Sequence, residues 1–345
     1  MRYILGFAVI TGLLTACTPA PTYQKLSGET MGTSYHITFE TPKALDLSAL
    51  QAQIDARLND VNKSMSTYDE TATIMAFNRA TADMPITIDA DFMQVLKDSY
   101  TIYKQSGGTF DPTVKPLVDL WGFGKNLTIE RLNSPPSEQE INAIGNQIGL
   151  DKVQLTGNTL VKTQNGVALD FSAIAKGYGV DTIAQTLHRN GINNYMVEIG
   201  GEVATLGVNP AGKAWQIAID TPSDGSTVQN RTIATTLTLH NAHLATSGNY
   251  RNHLEWQGVR YSHTINPHTA HPVADGIPSV SVLHDSTALA DGWATALTAI
   301  PQKDAIKLAD TANIKALFII KKDNTSDDWQ IIKSPALQAY ENTLP

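Results

Sequence analysis

The chain has 345 residues, 42% of them apolar, with 25 basic against 33 acidic side chains and a net charge of −8. That balance argues against nucleic acid as a partner and against a polybasic membrane-binding face. The length exceeds the usual single domain, so a large core or two tightly joined lobes is expected.

Residues 1–16 read as an export signal: Arg2 is the charged start, and Ile4 to Leu14 hold an uncharged, mostly apolar core. That core is too short to span a bilayer as a permanent helix. Leu14-Thr15-Ala16-Cys17 resembles a bacterial lipoprotein cleavage site, and Cys17 is the only cysteine. A disulfide within the chain is thereby excluded, and Cys17 reads as the lipid-bearing first residue of the mature protein. Residues 17–26 then form the lipidated cysteine and a short tether, and residues 27–345 the folded body.

Residues 34–40 alternate like a strand, and residues 48–62 carry Leu50, Ile54, Leu58 and Val61 on one helical stripe with Ser48 as cap. A second helix is expected from Asp91 and stops at Gly107-Gly108. Ser137-Glu-Gln-Glu140 is a capping-box pattern opening a short third helix, and Pro135-Pro136 before it places a lobe boundary near 125–137. Residues 166–171 read as a short apolar strand running into a helix from Ile174 that ends at Gly191. Beyond it the texture changes to strands at 195–199, 203–206, 214–219, 233–239, 260–265 and 279–283. Helices over 286–300 and 302–310 and a strand over 315–320 follow. Helices flanking a run of strands predict α+β with a largely antiparallel sheet. Alternating βαβ units and a G-x-G-x-x-G turn are absent, so a dinucleotide would not bind by the Rossmann route. The sequence holds no heptads, low-complexity tracts or short-period repeats.

Asp170-Phe-Ser-Ala-Ile-Ala-Lys176-Gly177 places a carboxylate, a hydroxyl and a lysine where the chain enters a helix. A helix N-terminus suits phosphate oxygens, and an anion there would explain a lysine in the first turn, where it opposes the dipole. Taken alone, the segment favours the plainer reading, in which Asp170 or Ser172 caps the helix. Asp291 and Thr295 lie four residues apart on one helical face among small residues. They suit a hard cation such as Mg²⁺, or equally a buried carboxylate bonded to a threonine. Residues 240–284 hold seven of the nine histidines, with spacings that match no structural zinc motif. His263 is the one singled out as a general base or phosphate contact. Met31, in a Gly-rich turn, and Thr109 to Gly124, which mixes prolines and aromatics, could grip a planar ring or simply pack the core.

Seven segments in this order resemble the FAD:protein FMN transferase (ApbE-like) family. They are Thr30-Met-Gly-Thr33, Phe110-Asp111 through Gly124, Asp170 to Gly177, Ile199-Gly-Gly201, Thr246-Ser-Gly-Asn249, Ser262-His-Thr-Ile-Asn-Pro267 and Asp291 to Thr295. The resemblance implies a T-fold-like α+β body with paired, mostly antiparallel sheets flanked by helices. It implies cleavage of the FAD pyrophosphate with Mg²⁺, transfer of FMN to a threonine or serine of a partner flavoprotein, and release of AMP. By motif position, Met31, Tyr68, Thr109, Phe110, Asp111, Asp170, Lys176 and Ile265 fall where the family touches FAD. The main-chain carbonyl of Ala173, with Asp291 and Thr295, falls where it holds the metal. Lys176 would add positive potential, and Asp291 or His263 would act as base. Two positions depart from the family pattern: Asn266 stands where Asp usually precedes the proline, and Glu202 where Asp or Asn more often follows the Gly pair.

Expected partners are FAD and an acceptor flavoprotein, such as a subunit of a sodium-pumping NADH:quinone oxidoreductase or a related electron-transfer complex. The expected location is the periplasmic face of the bacterial inner membrane, held by the lipid. Two rivals stand beside this reading: a Mg²⁺-dependent FAD pyrophosphatase releasing FMN and AMP, and a flavin-binding lipoprotein without catalysis.

Overall fold

Tyr23–Thr30 (β1) and Thr33–Glu40 (β2) pair in an antiparallel hairpin whose register ends at Thr30↔Thr33. The two loop residues, Met31 and Gly32, have φ +50° and +73°. Both central residues being left-handed makes the turn that matches the right-handed twist of paired strands. In β2 the alternating Tyr35, Ile37 and Phe39 are fully buried, each contributing about 2 kcal/mol through burial. The computed structural model describes residues 21–123, 135–223, 230–248, 253–256, 259–274, 276–322 and 328–344. The signal, Cys17 and most of the expected lobe boundary lie outside the described residues. Within the stretch expected as a tether, β1 begins at Tyr23 and pairs with β2.

Four helices and a short strand follow: Leu47–Met65 (α1), Thr73–Arg79 (α2), Ile86–Thr87 (β3), Ala90–Gln105 (α3) and Lys115–Trp121 (α4). The cap of α1 is Asp46 rather than Ser48, since its carboxylate accepts the N–H groups of Ser48 and Ala49. Glu138–Gly145 (α5) opens with the expected capping box of Ser137 and Glu140. Val153–Thr156 (β4) and Thr159–Lys162 (β5) lead to Ala175–Arg189 (α6).

The remainder is strand-rich: Tyr195–Ile199 (β6), Glu202–Leu206 (β7), Trp215–Asp220 (β8), Ile233–Leu239 (β9), His243–Gly248 (β10), His253–Trp256 (β11), Val259–Asn266 (β12), His271–Ala274 (β13) and Ser279–His284 (β14). Thr287–Thr298 (α7), Gln302–Thr311 (α8), Lys315–Lys321 (β15), Trp329–Lys333 (β16) and Pro335–Glu341 (α9) complete it. An eight-stranded sheet runs β1-β2-β6-β7-β10-β14-β15-β16, all its pairs antiparallel, which is the α+β class expected. Its centre is covered on both faces. Ala245, Val280 and Val282 join a core with Phe92, Phe171, Trp293 and Phe318, while Leu244 and Leu283 meet Trp215 and Leu237 of the β8–β9 hairpin. The first of these cores contains residues from both sides of segment 124–134. Among the described residues no helix is long and apolar enough to cross a membrane.

Residues 166–171 do not form the expected strand. Val167, Leu169 and Phe171 do alternate inward and are fully buried. Their backbone is satisfied by side chains and a loop instead of a neighbouring strand. The Asn78 amide bridges Leu169 N–H and C=O, buried Lys162 donates to the Val167 carbonyl at 2.7 Å, and Asp170 N–H donates to the Pro112 carbonyl at 2.8 Å. Period-2 burial therefore predicts the facing of these side chains but not the ladder.

Candidate active site

The site is built where α6 crosses α7 against the sheet. The crossing is close because Gly177 faces the α7 backbone: a Cβ built there would lie 2.3 Å from the Thr287 carbonyl oxygen. One turn on, Asp181 accepts the N–H groups of Thr287 and Ala288, both at 2.9 Å, and so clamps the first turn of α7 beside its own cap, Ser286. His243 of β10 lies 3.2 Å from the same Asp181 carboxylate. Neither residue was singled out from sequence, although Asp181 lies four residues after Gly177 and hence on the same helical face. Tyr178 ties α6 to the rest of the body by donating to Asp91, which is also paired with Arg57.

This crossing brings Lys176, Asp291 and Glu202 together. Lys176 Nζ lies 3.0 Å from Glu202 Oε1 and 3.9 Å from Asp291 Oδ1. Glu202, the first residue of β7, follows the Gly200-Gly201 turn and is 2% exposed. Burial raises both carboxyl groups above their usual range, against the pull of Lys176. Burial alone would depress the Lys176 ammonium, but the two carboxylates outweigh it and its pKa is raised.

The start of α6 leaves an oxygen open. Gly177 N–H, which would ordinarily close the first turn on the Ala173 carbonyl, donates instead to Asp291 Oδ2 at 3.1 Å. Among the described residues no hydrogen bond ends on the Ala173 carbonyl. Thr295, one turn after Asp291, has its hydroxyl 3.4 Å from that of Ser247 at the end of β10. Among the described residues no three His, Cys, Asp or Glu side chains gather as a metal site. A cation here would therefore draw on a carboxylate, a hydroxyl and a carbonyl, the oxygen donors that Mg²⁺ takes.

The other sequence candidates surround this centre unevenly. Met31 half-buries its thioether against α6, where a Cβ on Gly179 would sit 2.9 Å from its methyl group. Phe110 packs on α7 at Gly292, beside Asp291. Thr109 is buried with its hydroxyl lacking any hydrogen-bond partner, a polar atom available to a ligand. Asp170 accepts from the Ser172 N–H and hydroxyl and so caps a turn ahead of the helix. The helix itself has Ile174 at its N-cap, without a side-chain bond. Ile265 has its side chain in a satellite core with Leu117, Ile141 and Ile148. Tyr68 is 73% exposed, and His263 is exposed on β12.

Asp111 is buried and accepts from the Thr113 N–H at 2.8 Å and its hydroxyl at 2.6 Å. Burial pushes its carboxyl up to about 6 against those bonds. A carboxyl raised on folding stabilises the native state below the unfolded value, and that contribution is lost as pH rises through the folded value. Asp111→Asn is thus expected to gain on the parent by about 2 kcal/mol between pH 4 and pH 8. Urea midpoints across that range measure it, and a pH-independent difference would refute the shift.

The ApbE family model matches residues 31–318, which include every residue of this centre. The chain belongs to the ApbE family. It is 39% identical over 313 residues to the FAD:protein FMN transferase of Vibrio cholerae serotype O1, covering 90% of this chain and 92% of the relative. It is 38% identical over 318 residues to that of Haemophilus influenzae, covering 90% of each chain. The solved structure of the flavin transferase ApbE from Vibrio cholerae superposes with a TM-score of 0.82 at 36% identity, covering 92% of this chain and 99% of that one. The apo flavinyl transferase ApbE of Pseudomonas stutzeri gives the same TM-score at 28% identity.

Proposed function

We propose that this chain transfers FMN from FAD to a threonine or serine hydroxyl of a partner flavoprotein, with Mg²⁺ held by Asp291, Thr295 and the Ala173 carbonyl. The single observation that carries the metal reading is the Asp291 carboxylate taking the Gly177 N–H, which leaves the Ala173 carbonyl open beside it. Bound Mg²⁺ supplies Lewis-acid stabilisation of the pyrophosphate oxygens. Lys176 and the positive end of the α6 dipole add positive potential where the leaving phosphate gathers charge. The incoming hydroxyl oxygen forms a bond to the FMN phosphorus as the bond from that phosphorus to the bridging oxygen breaks. AMP leaves with that oxygen.

The hydroxyl proton needs a base that a protein substrate can reach. Asp291 is buried and already engaged by Gly177. His263 is exposed, and this reading assigns it the proton. Met31, Thr109 to Asp111 and Asp170 would contact FAD through the turns that hold them, and Tyr68 offers an exposed ring for the planar flavin. The Leu14–Cys17 pattern supports a lipid anchor on Cys17 and a periplasmic location.

The test is a mass spectrum after incubating the mature chain with FAD, Mg²⁺ and an acceptor domain of a sodium-pumping NADH:quinone oxidoreductase. Expected are an acceptor heavier by one FMN, released AMP, and loss of both with EDTA. FMN and AMP without labelling would favour the pyrophosphatase, and intact bound FAD the carrier.

A further inference from the structure

Glu202 is a buried carboxylate that the mechanism above does not use. It is 2% exposed, one of its oxygens meets Lys176, and the other, Oε2, has no hydrogen-bond partner. A buried carboxylate is costly unless its oxygens are satisfied, so a half-satisfied one is a poor device for stability. What it does achieve is geometric. The Lys176 ammonium sits at hydrogen-bond distance from Glu202, 3.0 Å, and beyond it from Asp291, 3.9 Å. Both ends of this arrangement are fixed. The Gly200-Gly201 turn ahead of Glu202 has φ +58° and +106° and is closed by the Gly201 N–H on Glu198 at 2.6 Å. The Lys176 stem passes over the same turn, its Cδ 3.5 Å from where a Gly200 Cβ would stand.

We infer that Glu202 is a positioning residue that holds the Lys176 ammonium off Asp291, keeping the Asp291 carboxylate available to a divalent cation. Without Glu202 the carboxylate left within 4 Å of Lys176, among the described residues, is Asp291 through Oδ1. An ammonium seated there would occupy the oxygen that the cation needs and repel the cation itself. The inference rests on the metal reading of the preceding section.

The test titrates Mn²⁺, a paramagnetic stand-in for Mg²⁺, into the full mature chain and reads free Mn²⁺ by electron paramagnetic resonance, without FAD or turnover. The parent is expected to bind and Asp291→Ala to lose binding. Glu202→Gln is expected to weaken binding roughly ten- to hundredfold, the range seen when partners of metal ligands are removed. Glu202→Asp keeps the charge but shortens the reach, so it is expected to weaken binding as well. It also serves where the glutamine variant fails to fold. Adding Lys176→Met to Glu202→Gln removes the competing ammonium and is expected to restore parental affinity.

Parental affinity in both Glu202 variants, with Asp291→Ala still inactive in binding, overturns the positioning role and leaves the metal site standing. Parental affinity in Glu202→Asp alone, or strictly additive effects in the double variant, shows that Glu202 acts through its own charge and overturns the role equally. A parent that binds no Mn²⁺ overturns the metal reading and this inference together.

Discussion

Asp291→Asn is expected to lower FMN transfer by at least about 100-fold while leaving the metal-free protein no less stable at neutral pH. The amide is the same shape as the carboxylate, and its oxygen can still accept the Gly177 N–H. What disappears is the charge that a divalent cation needs. In the metal-free protein that charge is a burden, because burial raises the Asp291 carboxyl and the neighbouring Lys176 is already paired with Glu202. The sign follows from linkage. A carboxyl raised on folding supports the native state below its unfolded value and ceases to do so as pH rises through its folded value, so asparagine gains on aspartate with rising pH. Mg²⁺ inverts the order: at about 100 times its Kd it adds roughly 2.7 kcal/mol to a protein that binds it. Thermal melts with Mg²⁺ and with EDTA, beside the transfer assay, separate these effects. A variant that keeps both full transfer and its Mg²⁺-induced rise in Tm would remove Asp291 from the metal site.

The fold was readable where one local rule dominates. Ser137 and Glu140 cap their helix as the pattern requires, and Tyr35, Ile37 and Phe39 face inward on a period of two. Reading failed where tertiary partners decide. Residues 243–248, outside every strand expected from the sequence, form a central strand paired with β7 and β14. Small polar side chains suit a strand whose face must admit α7 at close range, and no alternation advertises it. Residues 329–341, a strand and a helix at the sheet edge, carry no motif, and their pairing with β15 comes only from the three-dimensional register.

The candidate site divides along the same line. Asp291, Thr295 and Lys176 were legible because their residue types and spacings carry chemistry of their own. Glu202 was noticed only as a departure from a pattern, Ser247 only within the Thr246–Asn249 segment and His243 only among the clustered histidines, and Asp181 was given no role. The Asp181 clamp on Thr287 joins residues 106 apart in sequence, and it depends on a helix crossing whose closeness is set by a glycine.

That glycine can be tested directly. Gly177→Ala should be favoured by helix propensity, by about 1 kcal/mol. At this position it is expected instead to cost roughly 1–3 kcal/mol, as overpacking does. The added methyl would lie 2.3 Å from the Thr287 carbonyl oxygen, 2.6 Å from its carbon and 2.8 Å from the Ala288 Cα. All three are backbone atoms with no rotamer to escape into, so α6 and α7 must separate by about 1 Å to reach ordinary contact. That movement pulls the Gly177 N–H away from Asp291 and the Asp181 carboxylate away from the first turn of α7. A displacement of this size at a reacting centre costs about 100-fold in rate. The control is Gly191→Ala, where φ is +76° and nothing lies within 4 Å. It should destabilise through backbone strain alone, by about 1 kcal/mol, and leave transfer intact. Parental stability and rate in Gly177→Ala would mean that the two helices are not held by their closest approach, and the alignment of Lys176 with Asp291 would need another cause.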